Sequence, residues 1–215
     1  MPSRNSVKIY MENAYYHIYN RGVEDRDIFR DDQDYKVFLS FMKRYLIPPV
    51  QYEVRPRWKQ DIACNLELTC YSLMPNHFHL LIKQVSKDTI TNFMRALMDC
   101  YVKFFNRKYK RIGGLFQGKF KAVQIDNDAY LLHLTRYIHL NPLDIEGMTL
   151  DELKDYYCSY GEYIGKRNTE WIKHKDILDN FGSKVANIGS FASYKDFVEK
   201  YKEDSGAVLE GLVLE

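Results

Sequence analysis

Two histidines separated by a single residue, His77 and His79, are the side chains in this sequence best suited to do chemistry. Successive residues of a strand point to opposite faces, so on a strand both imidazoles share one face. Neutral imidazole is the commonest side-chain ligand for a metal ion, and Pro75-Asn76 before the pair is a turn signal. The pattern predicts half of a metal site at the exposed start of a strand. A surface strand with two solvated histidines fits the same pattern.

A local excess of basic residues follows the histidines. The net charge is only +2, but residues 95–121 hold eight lysines and arginines with one acid, Asp99, whereas residues 24–34 hold six acids. A basic patch near a metal site indicates a phosphate-bearing substrate. A solvated, lysine-rich helix face is the competing interpretation.

The composition is that of a globular chain: 215 residues, 46% of them hydrophobic and 28% charged. No apolar run of about eighteen residues occurs, so we expect no membrane partner. The first residues lack the apolar core of a signal peptide, and the four cysteines form no C-x-x-C pair. We therefore expect a cytoplasmic protein with reduced thiols.

Hydrophobic periodicity predicts the elements that position these residues. Strands are expected at residues 14–20, 62–74, 77–83 and 115–125, helices at about 32–46, 89–110 and 128–139, an irregular loop at 50–61, and two short helices within 174–203. The order β-α-β-β-α-β is that of the ferredoxin-like split motif. We expect an α+β fold whose antiparallel sheet has its first and third strands at the centre and both helices on one face. A helical C-terminal extension over residues 166–215 would follow a catalytic domain over residues 1–165.

Tyr101 lies on the apolar stripe of the long predicted helix, among basic residues. Most tyrosines in such a stripe are core residues with a hydrogen-bonded hydroxyl. The neighbouring lysines and arginines, and the expected position of this helix beside the histidine strand, favour a second interpretation, in which Tyr101 is a nucleophile.

Six motifs occur in an order that identifies a family. They are NRG at residues 20–22, MPNHFHLL at 74–81, YVKFFN at 101–106, GLFQGKF at 114–120, YLL at 130–132 and RYIHLNP at 136–142. In these motifs the chain resembles the single-tyrosine HUH transposases, in the branch of the REP-associated tyrosine transposases. The resemblance covers about residues 14–165.

The resemblance implies a metal-dependent transposase that cleaves and rejoins single-stranded DNA, with hairpin DNA as its partner and no small-molecule substrate. His77 and His79 would hold Mg²⁺ or Mn²⁺, and Tyr101 would form a 5′-phosphotyrosine and release a 3′-OH. Family members act as dimers, so a homodimer is expected. The third metal ligand stays open. Asn106 is a candidate, although five residues on a helix rotate by about 140° and separate it from the face of Tyr101.

The expected DNA contacts are mostly to phosphates, with bases stacked on aromatic side chains. The candidate DNA-binding residues are Arg21, Lys103, Arg107, Lys108, Arg111, Gln117, Lys119 and Lys121. Arg136, His139 and Asn141 belong to the last long motif, where helix termination with buried hydrogen bonds is at least as good an explanation as DNA contact.

Two other functions fit the sequence. One is a domesticated relative that holds hairpin nucleic acid without cutting it, although such a binder has no need of both histidines and the tyrosine. The other is an HUH nuclease of replication initiation or plasmid mobilisation, which uses the same chemistry. The RYIHLNP motif favours the transposase branch.

Overall fold

The computed structural model describes residues 10–48, 57–181 and 191–201. Its strands are β1 (Ala14–Arg21), β2 (Leu66–Met74), β3 (His77–Gln84) and β4 (Lys121–Ile125). Its α-helices are α1 (Asp32–Leu46), α2 (Arg57–Asn65), α3 (Thr89–Lys108), α4 (Asp128–Leu140), α5 (Tyr160–Tyr163), α6 (Lys175–Leu178) and α7 (Tyr194–Lys200). Short 3₁₀ turns span Val23–Asp25, Asn141–Asp144 and Glu152–Lys154. No helix in these ranges is long and apolar enough to cross a membrane.

The four strands form one sheet in the order β2-β3-β1-β4, with all neighbours antiparallel. The first and third strands are therefore central, and the predicted ferredoxin-like core is confirmed. The register sets His79 beside Tyr19 and His77 beside Arg21. Since paired residues of an antiparallel sheet share a face, β1 contributes side chains next to both histidines.

Helices α1 and α3 cover one face of the sheet, as the split motif predicts. Phe78, on the side of β3 away from the histidines, packs there against Phe38 of α1, and the ring of Phe38 contacts that of Tyr101. The N-terminus of α1 is capped by Asp31, whose carboxylate accepts from the Asp34 amide. This face carries the larger apolar core.

Helix α4 lies outside the split motif and covers the opposite face. Leu81, on the same side of β3 as the histidines, shares a second apolar core with Leu134 and Ile138 of α4 and Phe197 of α7. Both faces of the sheet are thus buried by helices, and the histidine face belongs to α4. This second layer determines which helix can reach the metal-site candidates.

Three predicted elements differ from those observed, one of which is the second strand: it begins at Leu66 rather than at residue 62, because residues 62–65 belong to α2. Helix α2 begins within the segment 50–61 that was expected to be irregular, of which residues 49–56 lie outside the described range. The last strand is shorter than residues 115–125, because Gly118 adopts φ +75° in the preceding loop while Leu115 and Phe116 are buried beneath it.

The C-terminal part contributes short helices, as expected, and packs onto both cores. Ile172 bridges to Leu68 of β2 and joins the larger core, while Tyr194 and Phe197 join the smaller one. A division of the chain at residue 165 stays a prediction. Residues 182–190 and 202–215 of the expected helical extension fall outside the described residues.

Candidate active site

His77 and His79 share one face of β3, as strand alternation predicts. Their rings lie edge to face, 5.0 Å apart. His79 is fully buried, and His77 is half-buried at the start of the strand. A third imidazole comes from the neighbouring strand: His17 Nε2 lies 2.9 Å from His79 Nδ1, and both side chains are fully buried.

The C-terminal end of α4 lies over these histidines. The Tyr137 ring meets that of His79 edge to face at 5.6 Å, and Asn141 Oδ1 lies 3.3 Å from His77 Nε2. Residues four apart on a helix share a face, so Tyr137 and Asn141 approach the sheet together. Tyr137 is partly exposed within an otherwise buried stretch of α4.

Hydrogen bonds from the loop after β1 hold the turn that precedes β3. The Gly22 amide donates to the Asn76 carbonyl at 2.8 Å, and the Ile28 amide donates to the Pro75 carbonyl at 2.7 Å. A Cβ at Gly22 would lie 2.0 Å from the Arg26 carbonyl oxygen, so only glycine fits this close approach. The NRG motif therefore holds the turn from which His77 projects.

The hydrogen bonds around His77 leave a lone pair directed into the site. Its Nδ1 lies 2.6 Å from Asn76 Oδ1 and its Nε2 3.3 Å from Asn141 Oδ1. Both amides are oriented by donation from their nitrogens, Asn76 to the Asp25 carbonyl and Asn141 to the Tyr137 carbonyl. A neutral imidazole has one N–H, so only one of the two contacts is a hydrogen bond. The shorter contact places the proton on Nδ1, where it is donated to Asn76. The lone pairs of His77 Nε2 and Asn141 Oδ1 then face each other with no proton between them.

His79 adds a second unsatisfied atom at the same place. Among the described residues its Nε2 has no hydrogen-bond partner. Burial, together with the charges that His77 and His17 would carry, holds the pKa of His79 well below its usual value, and burial also lowers the pKa of His77. Both rings are therefore neutral near pH 7 and can act as ligands. An unsatisfied buried polar atom costs about 1–3 kcal/mol, which a bound cation would offset.

These atoms fit a divalent metal. Two neutral imidazoles and one amide oxygen lie together here, and all three are ligand types that divalent metals accept. The described residues contain no group of three or more His, Cys, Asp or Glu side chains that could hold a metal. A three-ligand site with His77 and His79 therefore needs the side-chain amide of Asn141. Asn141 is therefore the third ligand candidate.

The expected position of Tyr101 beside the histidines is wrong. Tyr101 lies on the opposite face of the sheet, where it is fully buried and donates a 2.5 Å hydrogen bond to the Ile28 carbonyl. Burial, and to a smaller extent the charge of Asp34, raises the pKa of its hydroxyl. Tyr101 is thus a core residue with a hydrogen-bonded hydroxyl, the first of the two interpretations that the sequence allowed. This hydroxyl cannot reach a phosphate without leaving the core.

Asn106, the earlier candidate for the third ligand, is also distant from the histidines. Its side-chain nitrogen donates to the Gly113 carbonyl at 2.9 Å, and its oxygen accepts from Arg111 at 3.3 Å. It organises the loop after α3, behind the sheet.

The basic residues of α3 lie behind the sheet as well. Lys103 and Arg107 are exposed on the far layer, and Arg111 follows the same helix. Lys108 is bound to the carboxylates of Asp31 and Asp34 at 2.6 and 2.7 Å. Their expected role as phosphate contacts at the catalytic site therefore has no geometric support.

Other candidate DNA-binding residues do lie on the histidine side. Arg21 is paired with His77 in the sheet, and its Nε donates to Gln117 Oε1 at 2.7 Å while it also pairs with Asp25. Lys121 is paired with Tyr19, which is itself beside His79. Lys119 is exposed in the adjoining loop. Arg21, Gln117 and Lys121 therefore form a polar border along one side of the site.

The remaining motif residues brace α4. The Arg136 guanidinium donates to the carbonyls of Val198 and Tyr201 at the end of α7, at 3.1 and 3.0 Å. His139 is fully buried, with Nδ1 2.6 Å from the Tyr194 hydroxyl and Nε2 2.8 Å from that of Ser159. The RYIHLNP motif thus divides by helix face: Arg136 and His139 hold the helix, and Tyr137 and Asn141 face the histidines.

Sequence reasoning did not place three residues near the histidines: His17, Tyr137 and Asn141. Helical spacing contained a signal for the last two. A separation of four residues rotates by about 40°, whereas the five between Tyr101 and Asn106 rotate by about 140°. No comparable signal existed for His17, because its proximity depends on strand register.

One family model matches part of this chain. Residues 50–141 match the family model described as IS200-like transposase, a segment that contains His77, His79, Tyr137 and Asn141. No curated protein sequence matches the chain significantly.

Solved structures provide two likenesses. A REP-associated tyrosine transposase bound to a REP hairpin is similar over 78% of this chain and 95% of its own, with 12% identity and a TM-score of 0.53, which shows a shared fold. A putative transposase from Deinococcus radiodurans is similar over 62% of this chain and 94% of its own, with 18% identity and a TM-score of 0.36. Residues 50–141 of this chain are thus similar to the IS200-like transposases, and the chain shares its fold with a REP-associated tyrosine transposase.

Proposed function

We propose that this chain is a transposase that cleaves and rejoins single-stranded DNA through a covalent phosphotyrosine at Tyr137, next to a divalent metal held by His77, His79 and Asn141. The observation that carries the proposal is the approach of α4 to the histidine face. Tyr137 meets the ring of His79 at 5.6 Å, and Asn141 Oδ1 lies 3.3 Å from His77 Nε2. One chain supplies all four side chains, so the proposed site acts in cis.

The chemistry needs one oxygen nucleophile and one leaving oxygen. The Tyr137 oxygen bonds to the phosphorus while the bond from phosphorus to the 3′-oxygen breaks. The tyrosine hydroxyl loses one proton and the departing 3′-oxygen gains one, so the step has no net change in protons. The product is a 5′-phosphotyrosine, and attack by the 3′-OH of a second strand reverses the step. Because the phosphotyrosine preserves the phosphodiester energy, rejoining needs no ATP.

The residues around the nucleophile supply position and charge. A bound Mg²⁺ or Mn²⁺ would polarise the scissile phosphate and stabilise the charge that develops on it. His77 and His79 are neutral ligands on a rigid central strand, and α7 holds α4 through Arg136. Rigid supports of this kind keep a nucleophile aligned with its substrate.

The DNA would run along the histidine face rather than along α3. Arg21 and Lys121 border that face in the sheet register, and Gln117 is hydrogen-bonded to Arg21. Bases can stack on aromatic side chains near Tyr137 only if they are not paired with a second strand. Single-stranded DNA is therefore the expected substrate. The solved relative of the same fold is bound to a REP hairpin, which supports a hairpin next to the cut.

The test is incubation of the protein with end-labelled DNA that carries a hairpin and an unpaired flank, in Mn²⁺ or Mg²⁺. We expect a covalent protein–DNA adduct on the unpaired flank, no adduct after chelation, and little on a perfect duplex. Equal cutting of paired DNA would contradict the single-strand assignment. Tight hairpin binding without any adduct would favour the non-cutting binder, and preferential nicking of a plasmid origin would favour a replication or mobilisation nuclease.

A further inference from the structure

We propose that His17 is a positioning residue of the metal centre: its imidazole accepts the proton of His79 Nδ1 and so directs the lone pair of His79 Nε2 at the metal. This inference rests on the proposed function and deepens it, because it concerns how the chain prepares one ligand before any metal or DNA arrives.

The contact between the two rings is close and sealed from water. His17 Nε2 and His79 Nδ1 are 2.9 Å apart, a hydrogen-bond distance, and the ring centroids are 5.1 Å apart with planes 17° apart. Both residues are fully buried. The two residues lie on adjacent central strands, with His79 paired to Tyr19 and His17 paired to Leu81, so the sheet fixes their separation.

The direction of this hydrogen bond decides whether His79 can bind a metal. If His79 donates from Nδ1, its Nε2 carries a lone pair. If His17 donates instead, the proton of His79 must sit on Nε2 and blocks the ligand position. In the described part of the chain His79 Nε2 has no hydrogen-bond partner, and a buried acceptor without a partner is tolerated better than a buried donor. The first arrangement is therefore the one that this site stabilises.

The same logic operates at the other histidine. Both His77 nitrogens face amide oxygens, which can only accept, but Nδ1 lies 2.6 Å from Asn76 Oδ1 whereas Nε2 lies 3.3 Å from Asn141 Oδ1, so the shorter contact places the His77 proton on Nδ1. Each ligand histidine thus has its own acceptor on the Nδ1 side, an amide for His77 and an imidazole for His79. Outer partners of this type fix the tautomer and orientation of metal-binding histidines, and their loss typically weakens metal binding by about 10–100-fold.

The experiment measures Mn²⁺ affinity by calorimetry for the full chain and for two variants. His17→Gln keeps an acceptor near the position of Nε2, whereas His17→Leu fills similar space and removes it. We expect His17→Leu to weaken Mn²⁺ binding by about 10-fold or more and His17→Gln to stay within about threefold of the unmodified chain. A thermal melt of each variant reports whether the fold is retained.

A second measurement needs no substitution. Long-range proton–nitrogen NMR correlations of the metal-free, histidine-labelled chain distinguish the two tautomers, and we expect His79 to carry its proton on Nδ1. Equal Mn²⁺ affinity in all three proteins, or a proton found on Nε2 of His79, would overturn the inference even if DNA is still cleaved. Failure of the unmodified chain to bind Mn²⁺ at all would instead remove the proposed metal centre, and the inference with it.

Discussion

The two candidate tyrosines can be separated by a matched pair of substitutions, Tyr137→Phe and Tyr101→Phe. Each removes one oxygen and keeps the ring. The structure predicts opposite consequences, because the Tyr137 ring borders His79 whereas Tyr101 is fully buried in the core on the other face. Tyr137→Phe should leave hairpin binding intact and abolish the covalent adduct, since phenylalanine has no oxygen to bond to phosphorus.

Tyr101→Phe should change stability rather than chemistry. Its hydroxyl donates a 2.5 Å hydrogen bond to the Ile28 carbonyl, which would lose that donor inside the core. Losing such a bond costs about 1–2 kcal/mol. For a chain of this size each kcal/mol lowers the Tm by roughly 2–4 °C.

The assay combines both readouts on the same preparations. Thermal melts report stability, and denaturing gels with labelled hairpin DNA report the adduct below the melting range of either variant. We expect Tyr101→Phe to form the adduct at close to the unmodified rate while melting a few degrees lower. An adduct that persists in Tyr137→Phe, or one that disappears in a folded Tyr101→Phe protein, would refute the assignment of the nucleophile.

Three further predictions concern the ligands, the DNA path and the brace behind α4. Asn141→Ala should weaken Mn²⁺ binding by about 10-fold in calorimetry, whereas Asn141→Asp, which keeps an oxygen ligand, should not; equal affinities would exclude Asn141 from the site. Lys121→Gln should lower the salt dependence of single-strand binding by about 0.7 in log–log slope, and Arg107→Gln on the far layer should not; equal effects would contradict the proposed DNA face. Burial holds the pKa of His139 well below its usual value, so His139 stays neutral in the folded state while the unfolded chain gains a proton below about pH 6.5. The neutral His139 therefore contributes to the free energy of unfolding above that pH, and this contribution falls by up to about 1.4 kcal/mol per pH unit as the pH is lowered. In urea titrations between pH 5 and 7, His139→Gln should reduce the dependence of the free energy of unfolding on pH.

Local patterns in the sequence were sufficient for the core of the fold. The alternation at residues 77–83 placed both histidines on one face of a strand, and the order of strands and helices led to the observed sheet with β1 and β3 at its centre. These features depend on periodicity and chain order, which a sequence displays directly.

The choice of candidate nucleophile depended on which helix covers which face of the sheet, and the sequence does not display this. The split motif contains only the helices α1 and α3, which lie on one face of the sheet. Sequence reasoning therefore assigned the basic helix α3 to the neighbourhood of the histidines. Helix α4 follows the motif and closes the opposite face, bringing Tyr137 and Asn141 with it. The apolar stripe that contains Tyr101 was in fact evidence for burial.

His17 and the basic residues illustrate two other limits. The contact between His17 and His79 joins positions 62 residues apart, and it follows from the register of β1 against β3. The charge of α3 is partly neutralised by acids that are distant in sequence, as Lys108 is by Asp31 and Asp34. Charge counted along a segment therefore did not indicate the face of the sheet on which we propose that DNA binds.

The most direct test of the central claim is mass spectrometry of the trapped protein–DNA adduct after digestion with trypsin. Cleavage after Arg136 and Lys154 releases a peptide of residues 137–154 whose only tyrosine is Tyr137, and cleavage after Arg95 and Lys103 releases residues 96–103, whose only tyrosine is Tyr101. The structure predicts the nucleotide on the peptide that contains Tyr137. A nucleotide on the peptide that contains Tyr101, or on any peptide that lacks residue 137, would contradict the proposed active site.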